Sequence, residues 1–129
     1  MKHAEGLIDS IPIFLYIPEG IEEYREGIRC TGMLLDTEGY LFMFDTSLLL
    51  TFENSGVNAD ISLLFLPQLR EIGADKYMGV ISERKLLKAN SPDPVSSDQL
   101  SACALELTAE FCARYKIGVG SILSVDIEE

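Results

Sequence analysis

The stretch Thr51–Pro67, TFENSGVNADISLLFLP, decides how the rest of the chain is read. Its second half is an apolar run broken only by Ser62 and ended by Pro67. It reads as a buried strand. Its first half gathers Glu53, Asn54, Ser55, Asn58 and Asp60 in front of that strand. Asn and Gly tolerate positive φ, so NSGVN makes a tight connection. Asp60 can bond turn amides at the strand entry. Turned inward, with a shifted pKa, it would instead mark a site. Asn54 has the same two readings, and turn stabilisation is the favoured one. The candidate ligand-binding set is Glu53, Asn54, Ser55 and Asp60, joined by Glu106.

The flanking segments repeat this short-strand pattern. EGYLFMFD (Glu38–Asp45) is apolar between turn signals and reads as a doubly buried strand, followed by SLLLTFE. IPIFLYIPE (Ile11–Glu19) is β-branched and aromatic between prolines, which predicts a strand near a sheet edge. EGIEEYREGIRCTG places Ile21, Tyr24 and Ile28 at helical spacing, for one short helix ending between Gly27 and Gly32. LREIGADKYMGVIS predicts one or two short strands, and ANSPDPVSSDQ (Ala89–Gln99) a loop. ACALEL reads as a strand, and TAEFCARYKIG as a helix with Thr108 as N-cap and a stop at Gly118. SILSVDIEE closes as a half-buried strand. About seven strands and two short helices, without regular crossovers, predict a mainly β, mostly antiparallel sandwich or barrel. One domain is expected over 1–129, with residues 1–10 as a tail and 11–127 as the core.

The apolar fraction is 47% and the charged fraction 24%, enough to build a core without staples. The net charge of −11 repels phosphate backbones and anionic lipid surfaces. Neither nucleic acid nor membrane is therefore expected as a partner; an unknown protein or small molecule is. Cys30, Cys103 and Cys112 contain no C-x-x-C pair, and His3 is the one histidine. These residues are too few for zinc and read as free thiols in a reducing compartment. Acids at Glu5 and Asp9 interrupt any leader-like apolar region, so the cytoplasm is expected.

The strong chemical signatures are missing. The chain has no P-loop or dinucleotide glycine pattern, nucleophile elbow or zinc-protease helix motif. GVGS (Gly118–Ser121) follows a helix and precedes a strand, the wrong order for a phosphate cradle, and reads as a connecting turn. The carboxylate groups Glu22/Glu23, Asp93/Asp98 and Asp126/Glu128/Glu129 lack the alternating ligands of a calcium loop. No catalytic residue, metal or cofactor is expected.

Four pieces in order resemble the family known as domain of unknown function 192, over about Ile11 to Val125. YREGI resembles its Arg-x-x-Gly helix, and EGYLFMFD its Glu/Asp-Gly-Met-Leu-Phe-x-Phe strand. ENSGVNADISLLFL resembles its Lys-Asn-Thr-x-x-Pro-Leu-Asp-Ile segment, and ALELTAEFCARYKIGVGS its Leu-Glu-Leu strand, helix and closing turn. The resemblance implies a jelly-roll-like β fold with no established activity. Asn54 and Asp60 match the family pattern. Its Trp, Met, Lys, Thr and Pro are replaced by Thr51, Phe52, Glu53, Ser55 and Asn58, and its arginines fall near Tyr24 and Thr31. An anion site built on those bases would be lost here. The expected function is a binding or interaction domain; the alternative is a small enzyme or ligand-binding protein using a pocket around Asn54 and Asp60.

Overall fold

The computed structural model describes residues 1–26 and 34–128. These residues form β1 (Lys2–Ile8), β2 (Ile11–Ile17), α1 (Gly20–Glu26), β3 (Glu38–Leu48), β4 (Thr51–Phe52), β5 (Ile61–Leu66) and β6 (Arg70–Gly73). There follow β7 (Lys76–Val80), β8 (Glu83–Leu87), β9 (Val95–Ser96), β10 (Ser101–Thr108), α2 (Ala109–Tyr115) and β11 (Ile122–Glu128). Nine strands make one sheet in the order β6-β7-β11-β1-β2-β3-β10-β5-β8, and β4 pairs with β9 in a separate ribbon. Neighbours are antiparallel except β2 and β3, whose parallel pairing needs a crossover, the segment that carries α1. The mainly β, mostly antiparallel expectation therefore holds. The architecture is a single mixed sheet, not closed, with β6 and β8 at its edges.

The sheet curls until distant strands share one core. Leu64 and Leu66 of β5 pack with Ala4 and Ile8 of β1, Leu15 of β2 and Leu123 of β11. Phe111 and Cys112 of α2 join this inner core. At Gly79 the backbone of β7 lies so close to the β5–β6 connection that a Cβ there would meet the carbonyl oxygen of Gln68 at 2.6 Å.

A second core covers the other face of β3, β10 and β5. Tyr40, Phe42, Ile61, Leu63, Phe65, Leu87 and Ala104 are buried there with Leu50 and Val57. Tyr24 of α1 and Phe52 of β4 pack against them. Alternate residues of β3 and β5 thus feed opposite cores, which is why both strands read as continuous apolar runs rather than as alternating ones.

Several expectations need correction. Residues 2–8 are an interior strand, not a tail: Ala4, Gly6 and Ile8 are buried, and His3 packs on Phe14 and Tyr16. Alternation was masked by the small Ala4 and Gly6 and by apolar Leu7 on the open side. β2 is interior rather than near an edge. Phe14 N–H donates to the Thr37 carbonyl on the β3 side, so the N of Pro12 points the same way. β3 pairing starts only at Phe14, and no ladder bond is lost at the proline. The described residues hold eleven strands rather than about seven, because the 70–87 region holds three strands and the 89–99 loop contains β9. Thr108 does cap α2, accepting from Phe111 N–H at 3.1 Å. The helix ends earlier than Gly118, at Lys116 in the left-handed region. The expected end of the first helix, Gly27 to Gly32, lies outside the described residues.

Candidate functional site

Asn54 is buried, and its side-chain amide donates to the main-chain carbonyls of Ala59 (2.9 Å), Lys88 (3.0 Å) and Leu87 (3.4 Å). Its own N–H donates to the Ser91 carbonyl. One side chain thus ties the turn before β5 to the turn after β8. Asp60 is exposed, and its Oδ1 accepts from Ala89 N–H at 2.8 Å. The Ser55 hydroxyl donates to Glu53 at the surface. Glu106 is separate: it is buried in β10, in register between Tyr40 and Leu63, on the second-core side. Of the candidate residues, then, Glu53, Asn54, Ser55 and Asp60 share one knot of turns and Glu106 belongs to the sheet. Because Asp60 makes its bond at an exposed position, Asp60→Ala is expected to cost only about 1 kcal/mol. Thermal unfolding of the variant checks this, and a loss as large as that of a core truncation would contradict it.

Cys103 and Cys112 are free and buried. Burial pushes the Cys103 thiol up to about 12 and raises that of Cys112. Thiols held protonated in this way act as small apolar groups rather than nucleophiles. Tyr16 donates to Glu38 at 2.7 Å, and that bond, helped by burial, raises its phenol to about 12.

A large concavity lies elsewhere. The β4–β9 ribbon, α1 and the Asn54 turn cover the outer face of β3, β10 and β5. The continuation of that face over β2, β1, β11, β7 and β6 is exposed. There a cleft of about 710 Å³ opens, with Thr37 and Phe14 on one side and Ile72 and Tyr77 on the other. Strand register sets its floor. Lys76, Asp126, Glu5 and Phe14 form one row across β7, β11, β1 and β2. Met78, Ser124, Leu7 and Pro12 form the next row, and Val80 and Ile122 pair beyond it. Among the described residues no carboxylate oxygen lies within 4 Å of Lys76 Nζ. Apolar side chains beside two carboxylates and an ammonium can hold a partner that is both apolar and charged.

None of these positions stood out in the sequence. Asp126 read as part of an acidic C-terminal group, and Glu5 and Leu7 as part of a tail. Only strand pairing between residues more than a hundred apart brings Glu5 beside Asp126. Among the described residues no group of His, Cys, Asp and Glu could hold a metal ion, and no helix is long and apolar enough to cross a membrane.

No protein-family model and no curated protein matches the chain. Two solved structures share its fold. A candidate transcription regulator from Sinorhizobium meliloti is 18% identical, with a TM-score of 0.70 over 95% of this chain and 91% of that one. A protein of unknown function from Novosphingobium aromaticivorans is 15% identical, with a TM-score of 0.69 over 95% and 83%. At these identities the likeness is one of fold: a small β-rich domain.

Proposed function

We propose that the chain is a binding domain that works through the open outer face of β6, β7, β11, β1 and β2, including its cleft. One observation carries this reading: Leu7 (46% exposed), Ile72 (50%), Met78 (38%), Val80 (51%) and Ile122 (46%) all stand on that face. Single exposed apolar residues are ordinary, but a contiguous group on one surface is the mark of a contact surface. The Asn54 amide is spent on three carbonyls, which supports placing the binding surface away from the polar cluster. The net charge of −11 supports a partner other than nucleic acid. The unpaired, buried thiols of Cys103 and Cys112 support a reducing compartment such as the cytoplasm. Kinship with domain of unknown function 192 belongs to the same proposal, resting on the order of its four motifs.

The uncharged dye Nile red tests the surface in dilute protein. The wild type is expected to enhance its fluorescence, Leu7→Glu to remove most of the gain, and Leu86→Glu, at an exposed apolar position on β8, to leave it unchanged. No enhancement, or a loss confined to Leu86→Glu, defeats the proposal.

A further inference from the structure

We propose that the partner seated on this face is a second copy of the chain, related by a two-fold axis lying along β11; this rests on the binding surface argued above. The exposed region spans five strands, β6-β7-β11-β1-β2, with β11 in the middle. When two sheets stack face to face, the two-fold axis lies in the plane between them. An axis along β11 places β7 over β1 of the other copy, and β6 over β2.

Register then decides what meets what. Lys76 and Glu5 both lie level with Asp126, so Lys76 of one copy faces Glu5 of the other. Met78 and Leu7 both lie level with Ser124 and face each other across the interface. Ile122 and Ser124 lie near the axis and meet their own counterparts. Ile72 of β6, near the Lys76 row, falls over Phe14 of β2. Base meets acid in the Lys76 row, and apolar meets apolar between Met78 and Leu7, the self-complementarity an isologous contact requires; Val80 falls over the β1–β2 turn at Asp9, and Arg70 over Pro12. Asp126 meets its own counterpart, a like-charged pairing in which each copy has its own Lys76 alongside.

Two further magnitudes bear on the strength. Five strands about 4.8 Å apart and three residue rows about 6.8 Å apart cover roughly 500 Å² per copy, below the ~800 Å² of a standard interface. An area this small belongs with weak, reversible associations. The charge of −11 on each copy opposes association, but salt screens it beyond about 8 Å at physiological ionic strength, while the Lys76–Glu5 contacts act at shorter range.

Sedimentation equilibrium of the full chain tests the inference. The wild type is expected to dimerise reversibly, Ile122→Glu to be monomeric, and Leu86→Glu to dimerise like the wild type. Glu5→Lys alone and Lys76→Glu alone each place like charges together twice per dimer. Each is expected to weaken association about tenfold or more. Mixed in equal amounts they form a heterodimer in which both contacts are again of opposite charge, so association is restored. These substitutions are at exposed positions, and melting curves confirm that the variants fold. A wild type that stays monomeric up to hundreds of micromolar overturns the inference, and Nile red binding then shows whether the surface itself survives as a binding site. A dimer that persists in Ile122→Glu, or two charge variants that fail to associate when mixed, also overturns it.

Discussion

Gly79→Ala is expected to destabilise the fold by about 3 kcal/mol, at the upper end of the usual cost of overpacking. The added methyl would stand 2.6 Å from the Gln68 carbonyl oxygen and 2.9 Å from methyl carbons of Leu66 and Leu69. The leucine ends can rotate away, but the carbonyl belongs to the backbone that turns from β5 toward β6. Moving it means loosening the curl that brings β7 and β11 over the inner core. For a domain of this size the melting temperature should fall by on the order of 10 °C. Gly73→Ala provides the control, because a Cβ there meets nothing closer than 3.6 Å, on the Lys76 side chain. It should melt within about 2 °C of the wild type. Equal effects at the two glycines would mean that close approach at Gly79 is not what limits the fold.

The second large effect is expected at Asn54. Asn54→Ala removes the donor shared by Ala59, Lys88 and Leu87, so each of these carbonyls loses a bond around a buried position, although Lys88 still accepts from Ser91 N–H. A loss of about 2–3 kcal/mol follows. Asn54→Asp separates donation from shape. It is nearly isosteric, yet at neutral pH it turns an acceptor toward three acceptors, so it should be less stable than the alanine variant. Protonation supplies one donor, so the aspartate variant should recover part of its stability as the pH falls. Chemical denaturation of the three proteins at neutral and mildly acidic pH measures this. An aspartate variant as stable as the wild type at neutral pH would rule out the donor role. The Asn54 turn joins the β4–β9 ribbon that covers the second core, so its loss should also speed amide exchange at Phe52 and Val57.

Much of the strand content was legible from local pattern. β3, β5 and β10 have apolar residues facing both cores, and such runs announce themselves without any knowledge of partners. The Thr108 cap was legible because an N-cap depends on a hydroxyl and an amide three residues apart. The first strand was not, because its inward residues include Ala4 and Gly6 and its outward residues include Leu7. Space is short at Gly6: a Cβ there would meet the end of the Leu15 side chain at 2.9 Å and Ile13 at 3.2 Å. A residue chosen for lack of space looks, in sequence, like a residue in a flexible tail.

The polar cluster before β5 could be recognised as a turn that mattered, since Asn54, Gly56 and Asp60 have the chemistry of turns. Its partners could not be named, because Leu87, Lys88 and Ala89 come from a strand end about thirty residues later. The exposed face was less visible still. Leu7, Ile72, Met78, Val80 and Ile122 come from four strands separated along the chain, and each alone is an unremarkable surface residue. The sequence by itself determined the strand-rich class, the cap of α2 and the residues of the Asn54 turn, because each rests on interactions within a few residues. Only the tertiary structure decided that the sheet is one open mixed sheet, that residues 2–8 lie inside it, and that one face is left bare. Those outcomes depend on which strands pair and at what register, and a shift of one residue would turn each bare side chain into the core.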